Sequence, residues 1–101
     1  MAKSDLMSAY LIVNIDVTDA AAYEEYKAKV PAFIQNYGGE YLARGGKTVV
    51  IEGDWKPSRL VIFRFPDVAS IESMFNDPEY QPLKQLRQRV AKSEIVAIEG
   101  Y

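Results

Sequence analysis

Between Ala9 and Val17 the odd positions, Ala9, Leu11, Val13, Ile15 and Val17, are all apolar, while the even ones, Tyr10, Ile12, Asn14 and Asp16, are mixed. A period of two predicts a strand with one wholly apolar face. The period then changes. Tyr23, Tyr26, Val30, Phe33 and Tyr37 recur at intervals of three and four opposite Glu24, Glu25, Lys27 and Gln35, which predicts a helix with one buried stripe. Thr18 or Asp19 offers the side-chain oxygen that caps its first turn, and Gly38-Gly39 supplies left-handed dihedrals to end it. Pro31 lacks the amide that would bond to the Lys27 carbonyl, yet the apolar spacing continues past it, so a kink is expected rather than a break.

Two short apolar runs follow, Tyr41 to Ala43 and Val49 to Ile51, flanking Arg44-Gly45-Gly46. The glycine pair reads as a tight hairpin turn or as a bulge in one long bent strand. After a turn at Gly53 to Ser58, Arg59 to Phe65 returns as a strand, with Val61, Phe63 and Phe65 on one side and Leu60, Ile62 and Arg64 on the other. Asp67 caps a short helix whose inward residues are Val68, Ile71, Met74 and Phe75. A further helix is expected to start with Asp77 as cap and Pro78 at its first position, buried through Tyr80, Leu83, Leu86 and Val90. Its basic residues Lys84, Arg87, Arg89 and Lys92 suit the negative end of the helix dipole. Ile95 to Ile98 supplies the last strand. The element order is β-α-β-β-α-β, an α+β arrangement.

This order has a consequence for assembly. The strands carry apolar residues on both faces, Leu11, Val13 and Ile15 against Tyr10 and Ile12, and Val61, Phe63 and Phe65 against Leu60 and Ile62. The helices suffice to cover one face of a four-stranded sheet, and no residues remain for a third layer. An open apolar face exceeds what monomers usually expose, and a second copy of the chain is the simplest cover because a two-fold contact buries the same patch twice. A homodimer through the sheet face is expected. The competing expectation is a monomer whose second face is only half apolar, with Asn14, Glu52 and Arg64 on it.

At 101 residues the chain is expected to form one domain over 1–101. Its 49% apolar and 26% charged composition is that of an ordinary globular protein. A net charge of -2 provides no broad positive field for a phosphate backbone, which argues against nucleic acid. The strands also lack the basic-glycine-aromatic run of sheet-surface RNA binders. Without Cys, disulfides, thiolate nucleophiles and Cys-ligated clusters are excluded, which fits the cytoplasm. No leader or membrane span is expected in the first sixteen residues.

Tyr23-Glu24-Glu25-Tyr26, Tyr37-Gly38-Gly39, Arg44-Gly45-Gly46, Glu52-Gly53-Asp54-Trp55, Arg59, and Pro78 to Leu83 with Arg87 together resemble a family called domain of unknown function 1330, within the dimeric α+β barrel superfamily. The resemblance runs from Tyr10 to about Ile98. It implies a ferredoxin-like fold, a four-stranded antiparallel sheet with helices on one face, dimerising through the other. The superfamily includes cofactor-free monooxygenases, isomerases and haem-dependent enzymes; the family itself has no assigned reaction, so the resemblance implies a fold and no mechanism.

Candidate chemistry centres on the region between the second and third strands. Arg44 and Arg59 could clamp a carboxylate, Trp55 could stack on an aromatic or apolar ligand, and a desolvated Glu52 could serve as general base. Tyr23 and Tyr41, with Tyr26, Tyr37 and Tyr80, would line the walls of such a pocket. The same residues have a structural reading, in which Arg–Glu pairs across strands satisfy each other and a turn tryptophan caps the core edge. Gly46-Lys47-Thr48 is a turn rather than a phosphate loop, because Tyr41 stands where the first glycine should be and no helix follows. Asp16 and Asp19 lack convergent partners for a metal ion, and the absence of His and Cys disfavours haem. The expectation is a homodimer that binds a small anionic or aromatic metabolite without cofactor, metal or haem. A non-catalytic assembly module without a ligand is the alternative.

Overall fold

The computed structural model describes residues 8–101. The reading of the first sixteen residues as free of a leader falls in part on residues 1–7, which lie outside the described residues. The elements are β1 (Ala9–Val17), α1 (Ala20–Asn36), β2 (Glu40–Arg44), β3 (Leu60–Phe65), α2 (Val68–Asn76), α3 (Gln81–Val90) and β4 (Ala91–Glu99). The four strands form one antiparallel sheet in the order β2-β3-β1-β4, the ferredoxin-like topology.

The alternation in β1 translates directly into burial. Ala9, Leu11, Val13 and Ile15 lie in the core with Val61, Phe63 and Phe65 of β3, while Tyr10, Ile12, Leu60 and Ile62 face away. The helices cover the first set through Tyr23, Tyr26, Val30 and Ile34 of α1, Ile71 and Met74 of α2, and Leu83, Leu86 and Val90 of α3. At 17 Å through its thinnest dimension, Cα to Cα, the molecule has room for two layers packed about 10 Å apart and no third. On the open face Ile12 stands between Ile62 and Val96 in register, an apolar row across three strands. Val96 and Ile98 of β4 are 60% and 55% exposed there.

Local chemistry sets the element boundaries. Asp19, rather than Thr18, caps α1 by accepting from the Ala22 amide at 3.1 Å, and Asp67 caps α2 by accepting from Ser70 at 2.7 Å. Helix α1 runs on through Pro31. It ends in a Schellman turn, with Gly39 donating to the Ile34 carbonyl and Gly38, at φ +80°, to that of Gln35. Gly39 has a second reason to lack a side chain: a Cβ there would lie 2.6 Å from the Phe65 ring and 2.9 Å from Ile34.

Four expectations are corrected. Val49 to Ile51 forms no strand; residues 46–51 carry no regular structure, and Ile51 is 90% exposed. A β-branched run satisfies strand propensity, but it also needs a partner in register; β3 is taken on both sides by β2 and β1, and the run does not fold back onto the free edge of β2. Arg44-Gly45-Gly46 is therefore neither a tight hairpin turn nor a bulge in one long bent strand. Gly45 donates to the Leu60 carbonyl at 2.8 Å and closes the β2–β3 ladder, after which the chain leaves the sheet until Leu60. The register slip falls earlier, between Tyr41 and Ala43, so Leu42 is the bulged residue.

The last two corrections concern the final helix and strand. Asp77 does not cap α3. Its carboxylate accepts from the Glu79 amide at 2.8 Å and from the Tyr37 hydroxyl at 2.7 Å, and residues 78–80 form a turn before α3 starts at Gln81. Strand β4 begins at Ala91, four residues earlier than the apolar run suggests, because the Val90 carbonyl is taken by the amides of Thr18 and Asp19 and turns the chain straight into the sheet. Lys92 thus belongs to β4 rather than to the helix end.

Candidate functional site

A narrow cavity lies between the helices and the inner face of the sheet, with about 40 Å³ available to the centres of water-sized spheres. Its walls are mainly apolar, from Val13, Ile34, Val61, Phe63 and Met74. Into this wall project four cations, Lys27, Arg44, Arg59 and Arg87, and four tyrosines, Tyr23, Tyr26, Tyr41 and Tyr80. Among the described residues no Asp or Glu lines it.

Each arginine is placed by a different piece of local structure. Pro31 leaves the Lys27 carbonyl without its intrahelical donor, and the Arg44 guanidinium reaches that oxygen at 3.5 Å while lying 4.5 Å over the Tyr41 ring. Tyr41 is itself packed on Phe63, with ring centroids 4.6 Å apart. Arg59 enters over Gly45, where a Cβ would lie 2.6 Å from its guanidinium carbon; glycine at this φ of +68° serves the turn and the arginine together. Asn14 holds the backbone there by accepting from the Ser58 and Arg59 amides at 2.9 and 3.3 Å. Arg87 arrives from α3 and is only 6% exposed.

The three differ in depth. Arg44 is exposed, Arg59 half-buried and Arg87 buried. The Nε atoms of Arg59 and Arg87 are buried without a hydrogen-bond partner, and Arg87 makes no ion pair among the described residues. Beside Arg87 the hydroxyls of Tyr26 and Tyr80 lie 3.3 Å apart, within hydrogen-bonding distance. Burial first, then electrostatic interaction and a hydrogen bond with Tyr80, push the Tyr26 phenol far above its ordinary value, with Arg87 opposing the rise. Tyr41 is raised as well, mainly by burial and against the pull of Arg44.

Of the residues singled out from the sequence, Arg44, Arg59, Tyr23 and Tyr41 converge on this cavity. Trp55 and Glu52 do not. They lie in the segment between Gly45 and Arg59, where with Val49, Ile51 and Leu60 they line a separate open groove. Trp55 is 59% exposed and Glu52 is exposed, so the desolvation that would make Glu52 a base is missing. No Arg–Glu pair links it to Arg44 or Arg59. Asp19 is occupied as a helix cap and Asp16 is exposed; among the described residues no three His, Cys, Asp or Glu side chains are grouped to hold a metal ion.

Two cations of the cavity were not expected there: Lys27 was placed on the solvated side of α1, and Arg87 was read only for the helix dipole and the family resemblance. The signal for Arg87 was present: Tyr80, Leu83, Arg87 and Val90 recur at three, four and three, so the arginine lies on the buried stripe of α3 as surely as Leu86 does.

The family profile described as "Domain of unknown function (DUF1330)" matches residues 8–101, and the chain belongs to that family. No curated protein matches the sequence. Among solved structures, the chain is similar to the RPA0582 protein of unknown function from Rhodopseudomonas palustris, at 19% identity and a TM-score of 0.76 over 95% of this chain and 84% of that one. It is similar to SnoaB, a cofactor-independent oxygenase from Streptomyces nogalater, at 15% identity and a TM-score of 0.64 over 94% of each chain. A protein from Bacteroides thetaiotaomicron described as a possible oxidoreductase shares 13% identity, with a TM-score of 0.60 over 93% of this chain and 98% of that one. At these identities the likeness is one of fold. Among the described residues no helix is long and apolar enough to cross a membrane.

Proposed function

We propose that this protein is a homodimer, joined through the open sheet face, whose protomers each bind a small anionic or aromatic metabolite in the cavity between helices and sheet. One observation carries the ligand reading: a buried arginine without a counter-ion faces an apolar cavity that no carboxylate lines. Buried charges are normally paired, and a cation left bare inside a protein calls for an anion from outside. Chemistry performed there would use neither metal nor haem; the description of SnoaB as a cofactor-independent oxygenase is compatible with this. The lining has no carboxylate among the described residues, so any proton transfer there would fall to its tyrosines or Lys27.

The dimer reading rests on continuity of apolar surface. Val96 and Ile98 are exposed on the open face, and Val49, Ile51 and Trp55 extend it beyond Leu60. A second copy covers this surface by two-fold symmetry, which gives Trp55 a place at the interface rather than at the ligand. Light scattering checks the assembly: twice the chain mass is expected, and a monomer at working concentration overturns it. A thermal-shift panel of small organic acids and phenols checks the ligand reading, since a compound that binds only the folded state raises the melting temperature. A panel that moves nothing overturns it.

A further inference from the structure

We infer that the ligand is a compact monocarboxylate that enters headgroup first, its carboxylate seated on Arg87 at the deep end of the cavity and its apolar body pointing toward the mouth. This rests on the ligand reading above and deepens it by naming the charge, the headgroup and the orientation.

The depth of the three arginines sets the orientation. Arg44 stands at the exposed mouth, already engaged with Tyr41 and the Lys27 carbonyl, and Arg59 lies half-buried over Gly45. Only Arg87 is fully withdrawn from water, and its Nε is unpartnered. A guanidinium cannot shed its proton to escape burial as a lysine can, so its charge persists until an anion meets it. The outer two cations form a graded positive path toward the third.

The donors at the deep end define the headgroup. The Tyr26 and Tyr80 hydroxyls carry two protons, and a hydrogen bond between them uses one, which leaves the other for an incoming oxygen. Together with the planar fork of Arg87 this matches the two oxygens of a carboxylate. One buried guanidinium neutralises one negative charge. A phosphate dianion at the same depth would hold its second charge among Val13, Val61, Phe63 and Met74, with the next guanidinium, that of half-buried Arg59, nearer the mouth. The cavity of about 40 Å³ holds roughly three water-sized centres, enough for a carboxylate group whose short apolar tail continues outward.

The test is calorimetry and thermal shift on the full chain with butyrate and benzoate, their neutral amides, a neutral phenol and inorganic phosphate, repeated with Arg87→Met and Arg87→Lys. The acids are expected to bind, and the amides and phosphate to fail. Arg87→Met should raise the melting temperature of the free protein, because a bare buried charge is removed, while weakening the acids at least about tenfold. Arg87→Lys should recover part of that affinity, with charge restored and the fork lost. Arg87→Met that binds acids as the wild type does, amides that bind as tightly as acids, or phosphate that binds best each overturns the inference. Phenol binding without acid binding overturns it and leaves the broader ligand reading standing; no binding at all overturns both.

Discussion

The two faces of the sheet start from similar sequence and end differently. Along β3 the inward residues Val61, Phe63 and Phe65 are no more apolar in kind than the outward pair Leu60 and Ile62, yet the first set is buried and the second is not. The difference lies in what the connections supply. Both βα crossovers place their helices on one side, so α1, α2 and α3 crowd the inner face and the outer face keeps its apolar row open. The inner face also contains the polar exception, Arg87 with Arg59 and Arg44, whereas on the outer face Arg64 meets Glu40 at 3.4 Å. The connections therefore decide which of two apolar faces is covered, and an unpaired charge inside the covered layer locates the candidate site.

Substitutions on opposite faces of β3 put this contrast to its hardest test. Phe65→Ala should destabilise the protomer by about 3–5 kcal/mol in urea denaturation, as expected for truncating a fully buried ring. Ile62→Glu, three positions away on the outer face, should leave the protomer folded by circular dichroism and abolish the dimer in light scattering, making the melting temperature independent of concentration. Equal loss of fold in both variants would erase the distinction between the faces.

A smaller effect sharpens the account of the inner face. Gly45→Ala must adopt φ +68°, which costs about 1–2 kcal/mol, and its Cβ displaces the Arg59 guanidinium. Modest destabilisation together with weakened acid binding is expected in paired urea and calorimetric measurements. Unchanged binding would detach Arg59 from the site.

The smallest expected effect lies where the α1 terminus meets the turn before α3. The Tyr37 hydroxyl first, then the Glu79 amide, hold the Asp77 carboxyl below its ordinary 3.8. A carboxyl depressed on folding stabilises above its unfolded pKa, and that contribution is lost as the pH falls through the folded value. Tyr37→Phe should therefore lower the urea midpoint slightly at neutral pH and converge on the wild type as the pH falls below the folded-state pKa of Asp77. A deficit that persists unchanged in acid would assign the loss to packing instead.

Much of this molecule was legible in its letters. The period of two in β1 and β3, the helical stripes, the caps at Asp19 and Asp67 and the Gly38-Gly39 stop are local signals, and local geometry obeys them. Val49 to Ile51 shows the limit of such signals: strand propensity is real there, but pairing depends on where the chain goes, and this run does not return to the free edge of β2. The same limit separates Arg44 and Arg59, which reach the cavity, from Glu52 and Trp55, which are near in sequence and outside it.

What the sequence alone determined was the order of elements, the double-sided apolarity of the strands and the chemistries that a chain without His and Cys must do without. Only the tertiary structure decided that β2, the loop before β3 and α3 each deliver one arginine to a single apolar cavity, and that the innermost meets no counter-ion. The physical reason is range. Periodicity and capping act within a few residues, whereas convergence of Arg44, Arg59 and Arg87 depends on how the sheet and α3 pack together, which no local pattern records.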